Sequence, residues 1–320
     1  MLKIVVGFAF TFIAVISAYT ENPYDPPPAD LSAKEGYTLE KVVITEHDIP
    51  TYILYADQFA AEKKPAVILL HGGGIFDIRS HRKLLAKEQW FGVGGRGFDL
   101  VPYRLADSGL MVLIIDQWWA GERYNPEHLD LIKRSAFWAV VTGYHESADD
   151  VSRLIDYLET RDDADATRVG VAGWSGGGQT TLIATAIEPR LTAAVCWVGN
   201  ADMIRFAKHK GFSPTMIEGM LDDVPGSREK LQHYDPVHAY PAIPPKALAI
   251  INNRHDTAIP THLAQDLYDK LLPLYKDIPE RLRLDLRETP EPTHTLDPQG
   301  YRDGCDWLIR FLLEDQPTSR

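Results

Sequence analysis

The stretch that most constrains this chain is Arg168 to Gly178, RVGVAGWSGGG. Arg168 to Ala172 is a short apolar run of the kind a buried parallel strand shows, it breaks at Gly173, and Gln179 to Ile187 reads as a helix. Ser175 therefore sits in a strand-to-helix turn. Gly173, Ser175 and Gly177 complete GxSxG, in which glycines on either side let the chain turn tightly enough to lift one hydroxyl above the sheet edge. The helix behind it offers backbone N–H groups and the positive end of its dipole to an oxyanion developing beside that hydroxyl. A glycine-rich turn in which serine merely caps the helix has the same pattern, so partners elsewhere in the chain must decide.

The rest of the chain alternates strands and helices. Leu39 to Tyr55 holds two apolar stretches around a polar turn and reads as an antiparallel hairpin at a sheet edge. Ala66 to Leu70, Leu110 to Asp116, Leu191 to Val198, Lys246 to Ile251 and Arg281 to Leu286 read as buried strands. Ser80 to Trp90, His145 to Thr160 and Thr261 to Tyr275 read as helices between them, and another follows from about Tyr301. Such alternation implies an α/β fold, a mostly parallel sheet with helices on both faces, whose reactive groups collect at the carboxyl ends of the strands. Asn200 to Pro245 breaks the rhythm with apolar residues scattered among polar ones, and reads as a short cap insertion, about 200–245, or as an ordinary surface excursion. Gly92, Gly94 and Gly97 match GxGxxG, but a helical stretch precedes them and none follows, so no dinucleotide site is expected there.

An elbow serine needs a general base and a group to orient that base, in the chain order serine, acid, histidine. The strand Ala247 to Ile251 runs into a loop carrying Asp256, and the strand after it is followed by the loop Glu288 to Thr295, which carries His294. Ser175, Asp256 and His294 are the catalytic candidates. Asp202 is the alternative acid and His255 the competing base, although no late-strand acid precedes His255. His71 to Gly74, HGGG, follows the first long strand, and its glycines let N–H groups approach a tetrahedral oxygen: Gly72 or Gly73 as one oxyanion donor, Gly176 as the other. His71 itself is expected to order the loop. Trp118, Trp119 and Trp174 either wall an acyl or sugar pocket or pack the loop against the cap.

PAVILLHGGG, the strand ending in Asp116 with Gly121, Glu122 and Arg123 behind it, RVGVAGWSGGG, and DPVHAYP from Asp235 together resemble the α/β-hydrolase superfamily. Within it they look like the dienelactone-hydrolase-like and acetyl-xylan-esterase-like serine esterases. The resemblance runs from about Val42 to Leu313 and departs from dienelactone hydrolase itself, whose nucleophile is cysteine. It implies a serine carboxylic-ester hydrolase acting on a small-molecule or carbohydrate ester through an acyl-enzyme. The same triad cleaves peptides and thioesters, so prolyl-peptidase-like or acyl-transfer activity is the alternative, and a non-catalytic binding module on a hydrolase fold is the alternative of another class.

The mechanism calls for no cofactor or metal, and no zinc-ligand spacing occurs. A net charge of −12 without any Lys/Arg-rich run excludes a nucleic-acid surface. Cys196 and Cys305, the two cysteines, read as buried thiols. Lys3, the apolar run Ile4 to Ile16 and the small residues Ser17 and Ala18 have the order of a secretory signal over 1–18, followed by a proline-rich linker over 19–38 and the hydrolase domain over 39–320. The expected location is secreted or periplasmic. An uncleaved N-terminal segment would instead tether the protein to a membrane.

Overall fold

The computed structural model describes residues 35–44, 48–72, 100–118, 123, 136–289 and 293–314. The helix expected over Ser80 to Trp90, the glycines of the GxGxxG match, the expected signal segment, Gly73, Gly74 and Trp119 lie outside the described residues.

Eight strands form one sheet: β1 (Tyr37–Ile44), β2 (Ile49–Ala56), β3 (Lys64–Leu70), β4 (Met111–Ile115), β5 (Ala164–Trp174), β6 (Leu191–Trp197), β7 (Ala247–Asn253) and β8 (Leu282–Arg287). Their order is β1-β2-β4-β3-β5-β6-β7-β8. The β1–β2 hairpin is antiparallel and β2 also lies antiparallel to β4, whereas the pairs from β4 across to β8 are parallel. Every residue of β3, β4 and β7 is buried, which is why Ala66 to Leu70, Met111 to Ile115 and Ala247 to Ile251 read as unbroken apolar runs instead of alternating ones.

The described helices include α1 (Val101–Asp107), α2 (Ala136–Glu159), α3 (Gly176–Ile187), α4 (Met203–His209), α5 (Pro214–Asp222), α6 (Ser227–Tyr234), α7 (Pro236–Ala239), α8 (Thr261–Leu271) and α9 (Pro298–Ile309). The stripe Ala148, Val151, Ile155 and Leu158 on α2 is wholly buried in the main core. Opposite faces of β5 meet different partners. A β-carbon on Gly170 would touch Leu308 of α9 and Leu312, whereas one on Gly173, turned the other way by the pleat, would run into Gly177 of α3. The sheet therefore carries helices on both faces.

Several boundaries move from those expected. β5 starts at Ala164 because Ala164 and Asp165 pair with Lys64 and Pro65 before a register shift brings Val169 opposite Ala66. α3 begins at Gly176, directly after the serine. α9 begins at Pro298, where Asp297 caps it by accepting the N–H of Gly300 at 2.9 Å and proline fills the first position, whose N–H has no intrahelical partner. The segment 200–245 contains α4 to α7, and Met203, Ala207, Ile217, Leu221 and Leu231 form a small core of their own with Val141 of α2. Buried Asp235 pins this segment, its Oδ2 accepting the N–H of Met203 at 3.0 Å, and burial pushes its carboxyl well above the usual carboxylate range. Cys196 and Cys305 are free and buried, and burial raises both thiols to about 12.

Candidate active site

The site is built at the carboxyl ends of β3, β5, β7 and β8. Ser175 follows β5 with φ 55° and ψ −113°, a backbone that a residue with a β-carbon rarely adopts. Its N–H donates to the carbonyl of Trp197 at 2.9 Å, and its own carbonyl accepts the N–H of Gln179 at 2.9 Å, so both arms of the turn are tied. The glycines around it are steric necessities. A β-carbon on Gly177 would lie 2.4 Å from the carbonyl oxygen of Leu70, and one on Gly173 would lie 2.4 Å from the backbone of Gly177. Ser175 is partly exposed between buried neighbours.

His294 Nε2 lies 2.7 Å from Ser175 Oγ, and His294 Nδ1 lies 2.7 Å from Asp256 Oδ2. The Asp256 side chain is wholly buried. Its other oxygen accepts the N–H groups of Ala258 at 2.7 Å and Ile259 at 2.8 Å, which fixes the carboxylate in place. An ionised carboxylate only accepts, so the Nδ1 proton points at Asp256 and Nε2 is left to accept from the serine hydroxyl. The triad contacts leave out the alternative residues: Asp202 caps α4 by accepting the N–H of Arg205 at 2.8 Å, and His255 is exposed, with its backbone N–H donating to Asn253 Oδ1.

His71 is fully buried. The Gln117 N–H donates to its Nε2 at 3.0 Å, which assigns the proton to Nδ1, and Nδ1 in turn donates to the carbonyl of Gly72 at 2.9 Å. The Gln117 amide donates to the His71 carbonyl at 2.7 Å and accepts from Thr180 Oγ1 at 2.6 Å. Gln117 thus joins the ends of β3 and β4 to α3. Nothing in the sequence singled it out, because one glutamine after a strand carries no pattern. Gly176 is the first residue of α3, so its N–H has no partner within the helix.

Trp174 is 3% exposed, and its ring centroid lies 5.0 Å from that of His294. It packs beneath the imidazole and against Gly72, where a β-carbon would fall 1.6 Å from the indole. Trp118 is half-buried, and its N–H donates to Ser147 Oγ at 2.9 Å. Lys210, at the end of α4, has its ammonium 5.2 Å from the Phe206 ring centre. Burial lowers its pKa while the charge of Asp256 raises it, the burial effect being the larger. Among the described residues, no group of His, Cys, Asp and Glu side chains could hold a metal ion.

A sheet of this order, with the serine on the sharp turn between its β5 and the following helix, belongs to the α/β-hydrolase class. Residues 142–303, just over half of the chain, match the model of the prolyl oligopeptidase family, and the chain belongs to that family of serine hydrolases. It is 23% identical over 217 residues to YitV, a proposed esterase of Bacillus subtilis (strain 168), an alignment covering 66% of this chain and 82% of YitV. TT1662 from Thermus thermophilus has the same fold, with TM-score 0.62 and 18% identity over 87% of this chain and 98% of that one. So does a proposed dienelactone hydrolase from Klebsiella pneumoniae, with TM-score 0.56 and 16% identity over 87% and 99%.

Proposed function

We propose that the chain is a serine esterase that cleaves carboxylic esters through an acyl-enzyme. Ser175 Oγ attacks the ester carbonyl carbon as its proton passes to His294 Nε2, and Asp256 orients the imidazole and stabilises the imidazolium. The carbonyl oxygen becomes an oxyanion received by the Gly176 N–H and by that of Gly72 or Gly73, each such donor being worth about 3 kcal/mol of transition-state stabilisation. The tetrahedral intermediate collapses, the C–O bond to the alcohol breaks, and the alcohol leaves with the proton from Nε2. Water then attacks the acyl carbon, gives a proton to Nε2, and the acid departs as Ser175 regains its hydrogen. These steps balance without a metal or cofactor.

The observation that carries this reading is the pair of 2.7 Å contacts through which one imidazole joins the partly exposed hydroxyl to a buried carboxylate. The likeness to YitV favours an ester as substrate, and a small-molecule or carbohydrate ester is the class we propose. The family's name favours a second reading, peptide hydrolysis. A panel of esters varying in acyl length, then acetylated sugars, set against a proline-containing peptide, separates the two. The ester reading expects cleavage of the esters that Ser175→Ala abolishes, and ester cleavage that survives intact in Ser175→Ala overturns it. Absence of fluorophosphonate labelling at Ser175 in folded protein would instead point to a binding module. For residues 1–18 we propose a secretory signal that delivers the enzyme outside the cytoplasm. An intact Met1 on the soluble protein would overturn that, and an intact Met1 on membrane-bound protein would identify a tether.

A further inference from the structure

Asn253 is the last residue of β7 and is fully buried. Its side chain makes hydrogen bonds in two directions. Toward the acid loop, Oδ1 accepts the N–H of His255 at 3.0 Å, while the Asn253 carbonyl accepts the N–H of Asp256 at 3.1 Å. Toward the base loop, Nδ2 donates to the carbonyl of Thr293, the residue before His294, at 2.7 Å and to Thr289 Oγ1 at 2.8 Å. One amide therefore spends its acceptor on the turn that carries Asp256 and both of its donors on the loop that carries His294.

The loops that Asn253 joins follow two adjacent parallel strands, β7 and β8. Sheet pairing fixes where those strands end, but the loops beyond lie outside the ladder and need a separate tie. The Asp256–His294 contact is itself such a tie, yet it fixes only the imidazole tip. The bond to the Thr293 carbonyl fixes the backbone from which the ring projects, next to the residue itself. An aspartate at this position would keep the acceptor for His255 and lose both donors. A serine would keep the turn, since a hydroxyl accepts from the N–H two residues on, but is too short to reach the other loop.

We propose that Asn253 is the positioning residue that sets His294 at the distance from Ser175 needed for proton transfer, by holding the acid and base loops in register. This rests on the esterase reading above. It acts through His294 and does not touch substrate, so the loss on substitution falls on kcat while KM stays nearly constant. A displacement of the base by an ångström or less costs about 10- to 100-fold in rate.

The test compares Asn253→Asp, Asn253→Ser and Thr289→Val in the full chain, each also combined with His294→Ala, with ester hydrolysis and thermal unfolding measured on all. The expected result is a kcat about 10- to 100-fold lower in Asn253→Asp and Asn253→Ser, with KM within about twofold, and a smaller loss in Thr289→Val, which keeps the Thr293 bond. In the His294→Ala background the same substitutions are expected to leave the residual rate unchanged, because there is no base left to misplace. A parental kcat in folded Asn253→Ser, or an equal loss with and without His294, overturns the proposal. If Asn253→Asp fails to fold, Asn253→Ser carries the test. Should Ser175→Ala keep its activity, the esterase assignment fails. An inactive Ser175→Ala alongside a fully active Asn253→Ser rejects the positioning role alone.

Discussion

The indole of Trp174 lies directly on Gly72: a β-carbon there would fall 1.6 Å from Cε3 and 2.2 Å from Cζ3 of the ring. The same ring is 5.0 Å from the imidazole of His294. A single buried side chain thus touches both the loop after β3 and the ring that contacts Ser175. Gly72→Ala must therefore displace the indole that packs against His294. The expected outcome is a loss of about 1 to 3 kcal/mol in urea unfolding, from overpacking, together with a fall in kcat of about 100-fold. A fully active Gly72→Ala enzyme would show that the indole can retreat without moving the imidazole.

Ser175 holds φ 55°. Replacing serine by alanine removes the hydroxyl and keeps the strain, whereas glycine removes both. Glycine ordinarily destabilises relative to alanine, but at positive φ the order reverses. Ser175→Gly is expected to be more stable than Ser175→Ala by about 1 kcal/mol, with both inactive, as read by denaturant unfolding.

Gln117 ties three elements through buried groups. Gln117→Leu leaves the carbonyl of His71 and the hydroxyl of Thr180 with one partner fewer in an environment closed to water. It should cost about 2 kcal/mol of stability. Because the loop it holds carries Gly72, kcat should fall while KM changes little, a split that steady-state kinetics on a short-chain ester would show.

His145 on α2 stacks on Tyr234 at 4.2 Å, and burial, reinforced by Lys230 and His233, lowers its pKa from 6.5 to about 3. The folded state keeps this imidazole neutral where the unfolded chain takes up a proton. Its contribution to stability is therefore complete above pH 6.5 and is lost as pH falls from there toward 3, by up to about 1.4 kcal/mol per pH unit. His145→Phe keeps a ring against Tyr234 and removes the proton. The difference in unfolding free energy between the two proteins should move in favour of the variant as pH drops from 7.5 to 5. A constant difference would mean that the imidazole stays protonatable in the fold.

The strands were legible because each buried parallel strand is a local apolar run, and the chain order of Ser175, Asp256 and His294 was legible because each follows one of those runs. The early start of β5 was not. Ala164 and Asp165 join the sheet through pairing with Lys64 and Pro65, and a partner a hundred residues away leaves no mark on local hydrophobicity. Gln117, Thr180 and Asn253 escaped for a related reason. Their roles come from the two or three elements that converge on them, and an isolated polar residue at a strand end looks like any other loop residue until the sheet order is known. Trp174 was open to two readings because its partners, Gly72 and His294, are remote in sequence and adjacent only after folding.

Among the described residues β8 lies at one rim of the sheet, paired with β7 alone, and the loop bearing His294 follows it. During synthesis the elbow and most of the sheet emerge from the ribosome well before this rim strand does. A nascent chain that ends before β8 therefore lacks the loop bearing His294, whatever the state of its nucleophile turn. The contact between the imidazole and the Ser175 hydroxyl thus needs the rim strand, which ties the completion of this site to the last part of the sheet to be synthesised.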